Sequence, residues 1–399
     1  MTSEPATLPK TAGIVILGAG VMGASIAYHL AQRDKPGSAG RIVILDKDYA
    51  GQGASGRSSA LVRMHYTFPP EVALAQRSLE IFRDWQSIVG TPSDFRVTGF
   101  LRIVPEEEHA RLRENVAMQQ RLGVNTRLVT RDELRDIAPG WTVNDVPLAA
   151  YEPDSGYGDG AGVATGFLSR ARDLGVAYFP RTQVTCLCST SGCITGVATP
   201  AGEISAPVVV AAIGQWSVPL FRTIGVEVPI ETELHETVML ANPPDLPPRG
   251  PACIDSITCT YFRSDAHDKT LVGGFYGRRG VDPDQFPQHA APDSLADLVR
   301  AASLRVPALE RAGILRGITG VYDMTPDSRP LLGPVEGVAG LHICAGFSGM
   351  GFKISPAVGM VMAEQVLHGR AHTVDIHPFR MSRFAEGQPI RAPYEYRDD

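Results

Sequence analysis

The chain has no long hydrophobic run and no strong excess of one charge. Of its 399 residues, 44% are apolar and 20% are charged, and the formal net charge is −6. These values are ordinary for a globular protein and give no reason to expect binding to nucleic acid or to an anionic membrane. No apolar stretch reaches the roughly 18 residues that cross a bilayer, and residues 1–10 contain no hydrophobic segment of a signal peptide. We therefore expect no membrane span and a cytoplasmic location, and the length predicts two domains.

Cysteine and lysine are both scarce. The six cysteines, at positions 186, 188, 193, 253, 259 and 344, match no zinc-binding spacing and lie near no histidine pair. We predict reduced structural thiols and no bound metal. Only five of the 37 basic residues are lysines, at positions 10, 35, 47, 269 and 353. Lys353 stands in an apolar, glycine-rich stretch, which makes it a candidate for a functional role.

The most informative motif is an ordered combination of strand, glycine-rich turn, helix, strand and acid. The apolar residues 14–17 lead into Gly18-Ala19-Gly20-Val21-Met22-Gly23, and Asp46 ends the next apolar run. Gly18 permits a tight turn, Gly20 lets the backbone approach a pyrophosphate, and Gly23 lets helix and strand pack closely. The helix N-terminus faces the phosphates, and Asp46 accepts hydrogen bonds from ribose hydroxyls. The pattern predicts a site for the ADP half of a dinucleotide. An ordinary glycine-rich turn would leave the ordered combination unexplained.

Further ligand-facing segments are scattered along the chain. Residues 51–60 form a small, polar loop, residues 213–217 follow the β-branched run 204–212, and residues 346–353 are rich in glycine. A helix is predicted to open at Ser355-Pro356 and to end at Gly369. The scatter predicts an α/β protein with a discontinuous Rossmann-type cofactor domain and an inserted α+β substrate domain with an antiparallel sheet. We assign residues 1–90, 151–228 and 322–385 to the cofactor domain, and residues 91–150 and 229–321 to the substrate domain.

Three motifs together resemble one family. They are the N-terminal motif with Asp46, the run YDMTPDSRPLLG from Tyr322 to Gly333, and the run GFSGMGF from Gly346 to Phe352. Over essentially the whole chain, they resemble the FAD-dependent oxidoreductases of the D-amino-acid oxidase, glycine oxidase and sarcosine oxidase family. The sarcosine oxidase branch looks nearest. The resemblance implies FAD as the cofactor and amine oxidation as the chemistry.

The resemblance also implies which residues contact FAD. Backbone N–H groups of residues 346–351 and the N-terminus of the next helix would face the flavin where negative charge develops on reduction. Val184 matches a position that caps the adenine, with a plain strand valine as an equal alternative. The candidate cofactor-binding residues are Gly18, Gly20, Val21, Met22, Gly23, Asp46, Lys47, Ser55, Arg57, Ser58, Ser59, Val184, Gly214, Trp216, Gly346, Ser348, Gly349, Met350, Gly351 and Lys353.

Two positions decide how the flavin is held. Some relatives attach it covalently through a histidine that matches Arg57, and others through a cysteine that falls near Gly320. Neither residue here can form such a bond. We therefore expect FAD to be bound noncovalently.

An arginine and a lysine hold the substrate carboxylate in the sarcosine oxidase branch. The matching residues are Arg63 and Lys353, and charge-assisted hydrogen bonds from such a pair are strong and orienting. The alternatives are a surface or phosphate-side arginine and a solvated lysine beside a helix. Tyr66 and Tyr322 also match the branch, although each could equally be a core tyrosine. We count these four as candidate catalytic residues, and favour a structural role over general-base catalysis for His65.

Three departures from the family pattern concern the substrate and the electron acceptor. Met350 replaces a histidine of the glycine-rich run, and Phe275 falls where relatives carry a substrate-contacting histidine. Both changes make the pocket more apolar and favour a substrate bulkier than sarcosine. Leu271 falls where a lysine promotes oxygen reduction, although a shift of register would bring Lys269 to that position.

These expectations combine into one predicted function. We expect FAD-dependent oxidation of the C–N bond of a secondary or N-methyl amino acid to an imine, which then hydrolyses. The partners would be a small-molecule amine and either oxygen or another electron acceptor. The alternatives are an amine dehydrogenase that does not use oxygen, a catalytically silent flavoprotein subunit or assembly factor, and a nicotinamide-dependent dehydrogenase. The sequence leaves the exact substrate and the oligomeric state open.

Overall fold

The structure, a computed structural model, describes residues 7–33, 40–92, 94–246, 250–266 and 268–396. The strands in this part of the chain are β1 (Ile14–Leu17), β2 (Ile42–Leu45), β3 (Leu61–Val62), β4 (Arg96–Val97), β5 (Phe100–Ile103), β6 (Arg127–Thr130), β7 (Leu148–Glu152), β8 (Gly156–Tyr157), β9 (Ala177–Phe179), β10 (Cys186–Thr190), β11 (Cys193–Thr199), β12 (Gly202–Ser205), β13 (Val208–Ala211), β14 (Glu231–Ala241), β15 (Ala252–Asp255), β16 (Thr260–Asp265), β17 (Lys269–Gly274), β18 (Arg278–Arg279), β19 (Gly313–Met324), β20 (Leu331–Pro334) and β21 (Leu341–Ala345). The helices are α1 (Val21–Arg33), α2 (Pro69–Arg83), α3 (Trp85–Ile88), α4 (His109–Arg121), α5 (Arg131–Ile137), α6 (Gly160–Asp173), α7 (Ser217–Arg222), α8 (Pro292–Arg305) and α9 (Gly351–His368).

A mainly parallel six-stranded sheet carries the N-terminal motif. Its order is β20-β21-β13-β1-β2-β9, and only the edge strand β20 runs antiparallel to its neighbour. Alternate residues of β1 and β2 pack against α1, α6 and α9 on one face, and against the small sheet β10-β11-β12 and α7 on the other. Both strands have the sequence Ile-Val-Ile-Leu, because both of their faces are buried.

A second, nine-stranded sheet is largely antiparallel. Its order is β18-β14-β17-β16-β15-β5-β7-β6, with β19 paired along β14. One face buries residues such as Val238 and Val272 against α8. The opposite face carries Met239, Tyr261 and Leu271, which pack on Leu61 of β3. The predicted fold class is confirmed. The proposed domain boundaries stay a prediction, and β19 runs across one of them without interruption.

Two local predictions were wrong. The run 204–212 is not one strand, because Ala206-Pro207 separates β12 from β13. Helix α9 begins at Gly351, four residues before the predicted start, with Pro356 inside it. Pro356 has no N–H to donate to the Phe352 carbonyl, but the Ser355 hydroxyl donates to that oxygen at 2.8 Å instead. Lys353 therefore lies inside the first turn of α9.

No helix in the described part of the chain is both long and apolar enough to cross a membrane. The six cysteines are free thiols, and Cys253 and Cys344 are buried.

Helices α1 and α9 cross in close contact at Gly359. A Cβ at this position would lie 2.0 Å from the buried Ser25 hydroxyl oxygen. We expect Gly359→Ala to lower the free energy of unfolding by about 1–3 kcal/mol, because the helices must move apart. Denaturant unfolding measures the change. Gly313→Ala is the matched control, since a Cβ there meets only the Ala241 Cβ, at 3.9 Å. Equal effects of the two substitutions would contradict the close crossing.

Candidate active site

The N-terminal turn is as tight as its glycines suggest. Gly18 has a φ of +90°, and a Cβ there would lie 2.4 Å from the Ala212 carbonyl oxygen. A Cβ on Gly23 would lie 1.8 Å from the Gly18 carbonyl oxygen. Any side chain at either position would push α1 away from β1 and β13. The backbone therefore needs glycine at both positions, for the two reasons predicted from the sequence.

Asp46 organises the end of β2. One carboxylate oxygen accepts the Ala19 N–H at 2.6 Å, and the other accepts the Asp48 N–H at 2.8 Å. Burial raises the pKa of Asp46, while these N–H groups act in the opposite direction. The carboxylate also lines a large cavity, where its remaining lone pairs are available to ligand hydroxyls.

That cavity has a volume of about 650 Å³ and runs between the two glycine-rich loops. Its size is within the ordinary range for a ligand pocket. The predicted site residues that line it are Gly18, Gly20, Val21, Met22, Asp46, Lys47, Ser55, Arg57, Ser58, Val184, Gly214, Trp216, Tyr322, Gly349 and Gly351. Within the described chain, the wall does not include Gly23, Ser59, Arg63, Tyr66, Gly346, Ser348, Met350 or Lys353.

Asp323 holds the second glycine-rich loop in place. Its carboxylate accepts the Gly346 N–H at 2.6 Å, and its carbonyl accepts the Ser348 N–H at 3.1 Å. The Ser348 hydroxyl accepts the Thr325 N–H at 3.1 Å. Gly346 and Ser348 therefore brace the loop against β19. Their predicted contacts with the cofactor remain a prediction.

A loop of the nine-stranded sheet contributes to the wall of the cavity, which the sequence did not predict. Asp284 forms an ion pair with Lys47 and accepts the Trp216 indole N–H at 2.9 Å. The Lys47 ammonium also lies 3.8 Å from the centre of the Trp216 ring. Arg57 donates to the Gln288 side chain at 2.6 Å. Nothing in residues 282–288 signals this contact, because it depends on the placement of one sheet against the other.

Arg57 and Gly320, the positions at which the resemblance places covalent attachment in relatives, lie side by side. A Cβ on Gly320 would lie 3.4 Å from the Arg57 Cβ, and the Arg57 guanidinium donates to the Thr319 carbonyl at 3.1 Å. Both residues line the cavity. The two positions are therefore neighbours on the cavity wall.

The candidate carboxylate-binding residues form a cluster in which Tyr66 and Lys353 are buried and Arg63 is half-buried. The Arg63 guanidinium lies 4.4 Å from the Tyr66 ring centre. Lys353 is 7% exposed and donates to the Gly349 carbonyl at 3.3 Å. Burial lowers the pKa of Lys353 well below its usual value, and the nearby Arg63 charge lowers it further. The alternative of a solvated lysine is therefore wrong.

Two polar atoms in this cluster are buried without a partner. Among the described residues, neither the Arg63 Nε nor the Tyr66 hydroxyl has a hydrogen-bond partner. Burial also raises the pKa of Tyr66, so its hydroxyl keeps its proton. Buried unpaired donors are unfavourable unless a ligand or water satisfies them. Both are donor groups, so a ligand that satisfies them must offer an acceptor atom.

Buried acids balance these positive charges, and sequence reasoning missed them. Glu71 is fully buried in the first turn of α2, 3.1 Å from Arg329, and its charge raises the pKa of Lys353. Glu152 accepts the Met64 N–H at 2.9 Å, and its charge also acts on Tyr66. The available signal in the sequence was that Glu71 and Glu152 stand in apolar stretches. Charged residues are seldom buried unless they are paired, so such positions indicate buried partners.

A second polar group lies on the inner face of the nine-stranded sheet. The His235 and Tyr322 rings stack with centres 4.0 Å apart, and Glu233 is 2.9 Å from the His235 Nε2. Burial lowers the pKa of His235. Tyr261 hydrogen-bonds Tyr322, and its ring lies over Gly273, where a side chain would collide with it. The available signal in the sequence was alternation along β14, which places residues 233, 235, 237 and 239 on one face of the strand.

The three residues that depart from the family pattern, Leu271, Phe275 and Met350, all lie among apolar side chains. Leu271 and Phe275 join the apolar cluster with Leu61 and Phe100, and Leu271 pairs in register with Met239. Lys269 is half-buried at the hairpin end of β17, opposite Ala241 and Asp265. Met350 is buried among apolar residues. The structure therefore shows no shift that would bring Lys269 to the place of Leu271.

Comparisons with known proteins agree with this geometry. The family described as FAD dependent oxidoreductase (DAO) matches residues 13–365. FAD-dependent oxidoreductase domain-containing protein 1 of Mus musculus is 26% identical, over 96% of this chain and 87% of that protein. Sarcosine oxidase subunit beta of Arthrobacter sp is 26% identical, over 96% of this chain and 93% of that protein. The structure of L-proline dehydrogenase from P. horikoshii has a TM-score of 0.88 and 27% identity, over 96% of this chain and 100% of that chain.

The chain belongs to the DAO family of FAD-dependent oxidoreductases, and it acts on amino acids or amines. The cavity fits FAD, because Asp46 stands at the ribose position beyond β2 and the glycine turn opens onto the N-terminus of α1. A Cβ on Gly20 or Gly349 would lie within 3 Å of Ser55 or Tyr322, so these parts of the wall need glycine. The residues that line the cavity would hold the cofactor.

The pKa of Asp323 gives a test of this wall. Burial raises the pKa to about 6, so the folded protein binds the proton more tightly than the unfolded chain. As the pH rises from about 4 to about 6, the flavin-free wild type should lose stability relative to Asp323→Asn, by roughly a few degrees in Tm. The difference should become constant above about pH 7, where the carboxyl is ionised in both the folded and the unfolded protein. Thermal unfolding of both proteins across the range measures it, and a pH-independent difference would contradict the raised pKa.

Proposed function

We propose that this enzyme oxidises a secondary or N-methyl amino acid at the carbon beside nitrogen, forming an imine that water hydrolyses. The observation that carries the proposal is the cluster of half-buried Arg63 with buried Tyr66 and Lys353, in which the Arg63 Nε and the Tyr66 hydroxyl have no partner among the described residues. The names of two similar proteins, a sarcosine oxidase subunit and an L-proline dehydrogenase, support a secondary amine as the donor.

In this proposal, the two cations bind and orient the substrate carboxylate. Arg63 offers a planar donor fork, and Lys353 offers a point charge from the first turn of α9. An incoming carboxylate favours the protonated form of Lys353, whose pKa burial and Arg63 lower. Carboxylate binding should therefore weaken as the pH rises through the pKa of Lys353.

The same positive charges act on the substrate amine. They favour its neutral form, which is the form able to lose a hydride. FAD, when bound, accepts that hydride. We assign no side chain as a proton-abstracting base, because the amine loses its proton before the hydride leaves.

The apolar cluster opposite these charges supports a substrate larger than sarcosine. Phe100, Leu271 and Phe275 offer no hydrogen bond and pack around Leu61. We propose that the side chain or ring of the substrate lies against this cluster. The proposed domain division agrees with this arrangement, because the cluster joins residues of both assigned domains.

The carboxylate role predicts a selective loss of substrate reactivity. We expect Arg63→Met and Lys353→Met each to reduce kcat/KM for flavin reduction by roughly 10–100-fold, because each removes a charged hydrogen bond. Anaerobic titration with N-methyl, cyclic and primary amino acids, followed by loss of oxidised-flavin absorbance, measures the effect. Lys269→Met is the matched control, since Lys269 lies at a hairpin end. The proposal fails if no carboxylate-bearing amine reduces the flavin, or if both variants react like the wild type.

A second candidate concerns the electron acceptor. Leu271 is buried in the apolar cluster, at the place where the family resemblance puts an oxygen-activating lysine. Since a nearby cation stabilises developing superoxide, its replacement favours an acceptor other than oxygen. We therefore propose a dehydrogenase as the form of the activity.

A lysine at this position should restore the reaction with oxygen. We expect Leu271→Lys to accelerate reoxidation of the reduced flavin by oxygen roughly tenfold or more. Stopped-flow mixing of the reduced protein with oxygen measures the rate. Leu271→Met keeps the volume without the charge and serves as the control. Fast reoxidation of the wild type itself would refute the dehydrogenase form and leave the amine oxidation intact.

A further inference from the structure

The last described segment of the chain is anchored beside the carboxylate-binding cluster. Tyr396 is 4% exposed, and its ring packs with Val104, Leu112 and Val116. Its hydroxyl is 2.8 Å from the His65 Nε2, and the two rings stack at an interplanar angle of 15°. Tyr396 therefore contacts the segment that follows strand β3 and carries Arg63.

His65 connects this tyrosine to Arg63. The Arg63 guanidinium donates to the backbone carbonyl of His65. Burial, with the charges of Arg102 and Arg63, lowers the pKa of His65 well below its usual value. A lowered pKa favours the neutral imidazole, which forms one hydrogen bond with the Tyr396 hydroxyl through Nε2. Tyr396 thus restrains His65, and the backbone carbonyl of His65 restrains Arg63.

Glu395, the neighbouring residue of the same segment, contacts the buried Arg329. Glu395 lies 3.2 Å from Arg329 and accepts the Ala392 N–H at 3.0 Å. Arg329 in turn lies 3.1 Å from Glu71, the buried acid whose charge acts on Lys353. Two adjacent residues of this segment therefore contact His65 and Arg329.

We infer that Tyr396 is a positioning residue that holds Arg63, through His65, in the geometry that binds a carboxylate. The inference rests on the proposed role of Arg63. It differs from a purely structural role, because the apolar packing of Tyr396 uses its ring and the contact with His65 uses its hydroxyl. Replacement by phenylalanine keeps the ring and removes the hydroxyl that hydrogen-bonds His65.

The test uses the full-length, FAD-bound enzyme with acetate as the carboxylate probe. Acetate is titrated into wild type, Tyr396→Phe and Arg63→Met, and the change in flavin absorbance gives Kd. KM and kcat are measured in parallel with the amine found by anaerobic titration. Tyr394→Phe is the matched control, because the contact of Tyr394 with Asn115 uses its backbone carbonyl.

We expect Tyr396→Phe to raise the Kd for acetate and the KM for substrate about fivefold, with kcat changed less than about twofold. Its FAD content and thermal midpoint should match those of the wild type, and Tyr394→Phe should bind acetate normally. Arg63→Met should bind acetate much more weakly than either.

Two results would overturn the inference, and they are distinguishable. If Tyr396→Phe keeps the wild-type Kd and KM while Arg63→Met loses acetate, the segment does not position Arg63 and the proposed function stands. If Arg63→Met also binds acetate like the wild type, the carboxylate role of Arg63 itself is wrong, and the inference is lost with it.

Discussion

Parallel pairing of the central strands is the constraint on which the rest of the site depends. Strands β1, β2, β9, β13 and β21 all run in one direction, so their carboxyl ends meet at one edge of the sheet. Each ends in a segment that lines the cavity or leads to it, from Gly18 after β1 to Gly349 after β21. Chain segments more than 300 residues apart therefore form one cofactor site.

Charge compensation is the second organising feature. Lys353 and Arg329 are buried and Arg63 is half-buried, and an uncompensated buried charge is strongly unfavourable. Glu71, Glu152 and Glu395 lie near them, yet the Arg63 Nε and the Tyr66 hydroxyl have no partner in the described part of the chain. The cluster is thus nearly balanced and retains donors for one more anion. Under the proposed function, that combination lets a stable fold keep a carboxylate site ready.

Sequence reasoning succeeded where a local pattern has a local physical cause. The glycines at 18 and 23, the acid at 46 and the family motifs each reflect backbone geometry within a short segment. It failed at Ser355-Pro356, because a serine hydroxyl satisfied the carbonyl that proline leaves without its usual donor. It also missed Glu233, His235 and Tyr261, whose association requires pairing of strands β14, β16, β17 and β19.

The sequence by itself determined the cofactor class, the fold class and the identity of the two candidate carboxylate-binding cations, because these depend on short motifs with strict steric or chemical requirements. Only the tertiary structure decided that Lys353 is buried, that Leu271 rather than Lys269 lies in the apolar cluster, and that Asp284 and Tyr396 reach the site. Those facts depend on how distant segments pack, and packing is a property of the whole chain.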